Sequence, residues 1–158
     1  MSLVSELEKK EMSLTGSKAT ETDVIQLVER LPSDMVPSWL PPLLQRFGLA
    51  GACFSLDEDD DESELGAELK WFSVSQMLEE ALMVYPGKSA LRLGYLPVAA
   101  CLAGSGDPYF LKISISDEDP PLVRIPHEMA SDDEAYPESE IEIVCKSLSR
   151  FFRKVEIA

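Results

Sequence analysis

A single α+β domain with a mostly antiparallel sheet is the fold class this sequence predicts, on three observations. Its 158 residues are about the length that one hydrophobic core organises. Apolar residues recur at helical spacing near the start, the middle and the end, and between these segments lie apolar or alternating runs of strand length. The run Gly104, Ser105, Gly106, Asp107 supplies residues that accept positive φ between two such runs, which reads as a hairpin.

Taken in order, residues 1–19 mix Ser, Glu, Lys and Thr with scattered Leu and read as a flexible leader, with a weak helix around 3–12. The domain proper is 20–158. Its first helix starts at Thr20 or Thr22, whose hydroxyl can accept an orphan amide, and runs through Val24, Ile25, Leu27, Val28 and Leu31 until Pro32 stops it. After Trp39, Pro41 and Pro42 can open a short helix, because a first-turn proline forfeits no hydrogen bond, and Gly48 ends it. A strand over 49–56 follows, weakened by Gly51 and Ala52. Residues 57–68 hold eight acids and no base, the composition of a solvated loop. Beyond a strand over 69–72, Ser73 and Gln76 have capping-box spacing, opening a helix to about Val84 that Pro86 and Gly87 close.

The second half is richer in strands: 93–103, then 109–114 across the glycine turn, then 122–126 after an acidic turn at 116–120. Pro126 suits a sheet edge or a strand end. Residues 127–140 are acidic and irregular. Ser139 with Glu142 forms a second capping box, which predicts a terminal helix carrying Ile141, Val144, Cys145, Leu148, Phe151, Phe152 and Val155 on one face. Lys146, Arg150, Arg153 and Lys154 complement its dipole. No repeat is present.

Charge narrows the function classes. With 29 acidic and 14 basic residues the net charge is -15 and the pI near 4.3. Such a field repels phosphate backbones and anionic lipid and speeds encounter with basic proteins, so direct nucleic-acid and membrane partners are not expected. Its plain alternative is solubility. Cys53, Cys101 and Cys145 are an odd, widely spaced set that suggests neither a disulfide framework nor a metal site, which fits a reducing, cytoplasmic setting. The longest apolar stretch, 95–103, is about half of a ~20-residue membrane span.

In sequence, Leu31-Pro32 and Trp39 lead to a short helix, a strand, an acidic loop and a second helix. Tyr95-Leu96-Pro97-Val98, Gly104-Ser105-Gly106-Asp107, Tyr109-Phe110-Leu111 and a closing Phe151-Phe152 complete the series. By this order of elements, over roughly 24–152, the chain resembles the SUKH superfamily of fungal cell-wall assembly regulators and bacterial immunity proteins. Two positions depart from it: Phe47-Gly48-Leu49 replaces a Tyr-Asn-Gly type corner, and Ser105 interrupts the double glycine before the Asp. The resemblance implies helices around one mostly antiparallel sheet, with Pro32, Trp39, Gly104, Gly106 and Asp107 as its structural motif. It also implies an antitoxin that binds and blocks a toxin domain, such as a nuclease, or else a regulatory scaffold of the fungal kind.

Three acidic segments are the candidate partner surface: Asp57, Glu58, Asp59, Asp60, Asp61, Glu62 and Glu64; Asp117, Glu118 and Asp119; and Asp132, Asp133 and Glu134. Their carboxylates would mimic the phosphates a basic toxin face attracts. For any one cluster, a merely hydrated loop explains the composition equally well. Asp57, Asp59, Asp61, Ser63 and Glu68 also have calcium-loop spacing, but Glu62 stands where that loop needs glycine. No Gly-Lys-Ser/Thr follows Gly104-Ser105-Gly106-Asp107, so this is a turn and not a phosphate cradle. His127 is the single histidine, without a nucleophile elbow, which leaves hydrolysis or other catalysis a remote alternative. Trp39, Trp71 and Phe72 read as core residues, with exposed binding anchors as the alternative, the cysteines are small buried hydrophobes, and neither metal nor cofactor is expected.

Overall fold

Capping chemistry sets the helix boundaries. Thr20 accepts the Asp23 amide while Asp23 accepts the Thr20 amide, starting one helix at Glu21–Arg30; Ser73 and Gln76 do the same for Val74–Leu82. With Pro41 and Pro42 in its first turn, Leu40–Arg46 forms as expected. The computed structural model describes residues 2–103, 106–114, 116–126 and 138–157. Its helices are α1 (Leu3–Lys10), α2 (Glu21–Arg30), α3 (Leu40–Arg46), α4 (Val74–Leu82), α5 (Gly87–Leu91) and α6 (Leu148–Lys154). The strands are β1 (Cys53–Leu56), β2 (Ala67–Trp71), β3 (Tyr95–Cys101), β4 (Tyr109–Lys112), β5 (Leu122–Arg124), β6 (Glu142–Cys145) and β7 (Glu156–Ile157).

These strands make one antiparallel seven-stranded sheet in the order β6-β5-β4-β3-β2-β1-β7. Helices pack against this sheet, so the α+β architecture holds. Register decides which loops meet. Leu56 lies opposite Ala67, Leu69 opposite Cys101, and Tyr109 opposite Arg124, which in turn faces Glu142. The β1–β2 loop, the β3–β4 hairpin and the chain leaving β5 therefore emerge at one end of the sheet. The β4–β5 turn emerges at the other.

One face of the sheet holds the main core. Phe54, Trp71, Phe151 and Phe152 are buried there with ring centroids 5.2 to 6.5 Å apart, mostly edge to face, so α6 is bolted onto β1 and β2 by aromatic packing. A smaller cluster of Ala90, Tyr95, Phe110, Val123 and Ile125 lies under α5.

Several expectations are corrected. Residues 3–10 are not a loose leader: α1 packs on α6, buries Leu3 and Leu7, and is tied to its far end by Lys10 Nζ donating to the Val155 carbonyl at 3.2 Å. Hydrophobic residues four apart present one helical face, and this face was too short to stand out among charges. Replacing Leu7 with Ala is expected to cost about 2–5 kcal/mol in urea unfolding, whereas a frayed segment would give no shift in midpoint. Residues 142–145, expected to be helical, form β6, because β-branched Ile141, Ile143 and Val144 suit a strand and β5 offers an edge to pair with. The final helix starts after Ser147, whose hydroxyl accepts the Arg150 amide. β5 lies between β4 and β6 and is not an edge; Pro126 comes after its end. Pro86 and Gly87 close α4, yet Gly87 itself begins α5. On α2, Leu27 and the following Leu31 are buried, while Ile25 and Val28 are about half exposed.

Candidate partner-binding surface

The acidic loop is built around one buried cation. Arg124 follows Leu122 and Val123 on β5, and its side chain is 5% exposed. Burial pulls its pKa down, but the hydrogen bond with the Tyr109 hydroxyl and the carboxylates of Asp61 and Glu142 oppose this, and the net shift is upward. Its Nη2 donates to the Gly66 carbonyl at 2.8 Å and to the Tyr109 hydroxyl at 3.2 Å, and it lies 3.5 Å from Asp61 Oδ2. Nη1 donates to Ser63 Oγ at 3.1 Å and is 3.6 Å from Glu142. Asp61 Oδ1 in turn accepts the amide and hydroxyl of Ser63, both at 2.7 Å. Two buried opposite charges that each make several further hydrogen bonds hold a loop more firmly than exposed pairs can.

Backbone bonds complete the fixing. Asp60 and Asp61 donate back to the carbonyls of Asp57 and Glu58, closing a short helical turn, and Glu62 donates to the Val144 carbonyl of β6 at 2.8 Å. Glu64 takes a left-handed φ of 65° and Gly66 one of 76° as the chain returns to β2. A left-handed non-glycine residue persists only where its surroundings hold it there. Thus the loop reaches across the curl of the sheet and is fastened to β5 and β6.

The expected surface residues now separate. Asp57, Glu58, Asp59, Glu62 and Glu64 are exposed, Asp60 is half-buried, and Asp61 is sealed inside as the partner of Arg124. Glu62 has Lys146 at 3.5 Å on the surface. Asp57 and Asp60 also line a concavity of about 550 Å³ with Glu68, Leu65, Lys154 and Glu156. Leu65 is 65% exposed at its rim, an apolar contact among carboxylates.

Asp117, Glu118 and Asp119 do not join this surface. They sit on the β4–β5 turn at the opposite end of the sheet, where only Glu118 is exposed. Asp117 accepts the Asp119 amide, and Asp119 accepts both the amide and the hydroxyl of Ser149, so it caps the first turn of α6. Trp39 is half-buried and donates its indole N–H to the Asp117 carbonyl at 3.2 Å, pinning the same turn. Pro32 follows the last buried residue of α2's face, Leu31, as the helix stop expected. Gly106 has φ of 70° and Asp107 is half-buried in the β3–β4 hairpin. Gly104, Ser105, His127, Asp132, Asp133 and Glu134 lie outside the described residues.

The calcium-loop spacing does not become a calcium site. Asp61 is turned to Arg124, Ser63 donates to Asp61, and Glu68 stands on β2. Among the described residues no group of three or more His, Cys, Asp and Glu side chains is placed to share a cation. Cys145 is buried, and burial, then Asp61, pushes its thiol up to about 12, which keeps it protonated and a poor nucleophile. Burial also pushes the Tyr109 phenol up to about 12 against the opposing pull of Arg124, so it stays a neutral hydrogen-bonding group. Cys53 and Cys101 are half-buried.

No family model, curated protein or solved structure matches this chain. No helix among the described residues is long and apolar enough to cross a membrane.

Arg124 is the loop-fixing residue that composition did not point to. A lone cation within Leu122, Val123, Arg124, Ile125 was the available signal, since a charge inside an apolar strand must find a buried partner.

Proposed function

We propose that this chain is a non-enzymatic binding protein of the SUKH kind, an immunity protein that captures the basic face of a toxin domain in the cytoplasm. The observation that carries this reading is the fastening of the acidic loop: five exposed carboxylates, at Asp57, Glu58, Asp59, Glu62 and Glu64, ride on a turn held from beneath by Arg124. A loop ordered in advance loses little conformational freedom on binding, and clustered charge raises the rate of encounter with an opposite surface. Leu65 adds an apolar contact that hydration alone does not call for.

The test is co-expression with a candidate toxin domain, the basic C-terminal part of a large secreted protein if a neighbouring gene encodes one, read as rescue of growth. Changing Glu58, Asp59, Glu62 and Glu64 to Gln or Asn should slow association about tenfold or more at low salt and flatten its salt dependence, with dissociation little changed. Rescue and an association rate indifferent to those four changes would remove the acidic loop from the interface. Absence of any rescue or binding would remove the immunity reading itself.

A further inference from the structure

Another carboxyl group, that of Glu80, is half-buried with no cation paired to it among the described residues. Glu80 lies in the last turn of α4, and its Oε2 is shut off from solvent and meets no hydrogen-bond donor. The backbone of Gly87 gives the carboxyl one hydrogen bond. Gly87, the first residue of α5, is wedged against it: a Cβ there would lie 1.8 Å from the Glu80 carbonyl oxygen and 3.0 Å from Oε2. Beside this contact is a cavity of about 590 Å³ bounded by Glu80, Phe72, Tyr85, Ala100, Cys101 and Pro108.

We propose that Glu80 is a proton-operated latch, packed on Gly87 while neutral and turning into the adjoining cavity when ionised, which loosens α5 from α4. A carboxylate with one oxygen buried and without a donor is costlier than the neutral acid, and the cavity gives the ionised group a path to water. Burial pushes the Glu80 carboxyl up to about 7, the Gly87 hydrogen bond opposes this, and the neighbouring Glu79 charge adds to it. Around it, α4 brings Glu79, the turn and α5 bring Tyr85 and Lys88, whose ammonium sits 5.2 Å from the Tyr85 ring centre, and β3 brings Cys101. Asp107 stands between the two hairpin residues, Gly106 and Pro108, that line the cavity. α2, also packed on α4, adds no charge to those acting on Glu80.

A carboxyl whose folded pKa lies above its ordinary 4.5 favours the packed state below that value, and the advantage is lost as pH rises through about 7. What loosens is specific. Lys88 and Ala90 donate their amides to the carbonyls of Val84 and Pro86, and Ala90 roofs the small cluster of Tyr95, Phe110 and Val123.

Carbon NMR of the glutamate carboxyls and amide hydrogen exchange, compared at each pH between the natural protein and Glu80→Gln, test this. The Glu80 resonance should titrate near neutrality, and exchange of the Lys88 and Ala90 amides relative to Glu80→Gln should rise about tenfold per pH unit from about 4.5 up to that midpoint and level off above it. A midpoint near 4.5, or exchange ratios that stay level across the range, would overturn the latch. Should Glu80→Gln fail to fold, the wild-type titration decides alone.

Discussion

Arg124→Ala is expected to destabilise the fold by roughly 3–5 kcal/mol, read as a lower urea midpoint, because it leaves the Asp61 carboxylate buried without its cation. The loss exceeds that of a surface pair, such as Arg46 with Glu8 at 2.8 Å, whose removal should cost about 0–1 kcal/mol. Replacing both partners, Arg124→Met with Asp61→Leu, should recover most of that stability, since a well-packed apolar pair avoids the desolvation that a buried ion pair must overcome. The double variant then separates scaffold from surface. The Gly66 carbonyl and the Ser63 hydroxyl lose their donor, so a stable double variant should hold the acidic loop less firmly and capture a basic partner more weakly. Equal affinity in the double variant and the natural protein would show that fastening of the loop contributes nothing to binding.

Phe152→Ala should be comparably severe, at about 3–5 kcal/mol in the same measurement. Phe152 is fully buried, touches Phe54, Trp71 and Phe151 at 5.6, 5.7 and 5.2 Å between ring centres, and joins α6 to the two strands that flank the acidic loop. Its removal leaves a void that three rigid rings cannot close by rotating, so the cavity term adds to the lost burial. A midpoint shift no larger than that of an exposed site would mean that α6 repacks freely, against the interlocked edge-to-face geometry.

The two variants act on opposite sides of the same loop. Arg124 fixes it through polar groups from β5, while Phe152 sets the position of β1 and β2 from which it springs. A loss of partner capture in both, with Glu58→Gln and its neighbours leaving stability unchanged, would separate the groups that present the surface from those that form it.

Much of the local structure was legible in the residues. Thr20 with Asp23 and Ser73 with Gln76 announced two helix starts, the prolines at 41 and 42 a third, and the acids from Asp57 onward a loop, because each of these signals acts over three or four residues. The strands at 67–71, 95–101 and 109–112 likewise follow from apolar runs and turn residues. Segments whose fate depended on a distant neighbour were misread. Ser139 and Glu142 have capping-box spacing, yet residues 142–145 complete a sheet because β5 offers them an edge. Leu3 and Leu7 look sparse in the chain, yet α6 supplies the surface that makes a helix of them worth forming.

For the candidate surface the division is sharper. An α+β chain with a large acidic excess and a carboxylate-rich loop after the first strand follows from the residues alone, since composition and short-range capping require no knowledge of the fold. Long-range packing turns Asp61 inward to Arg124, makes Asp119 the cap of α6, and sets the 117–119 turn at the far end of the sheet from the 57–64 loop. Those outcomes are set by strand register and by the cost of burying a charge alone, and both arise between residues some 30 to 60 positions apart in the chain.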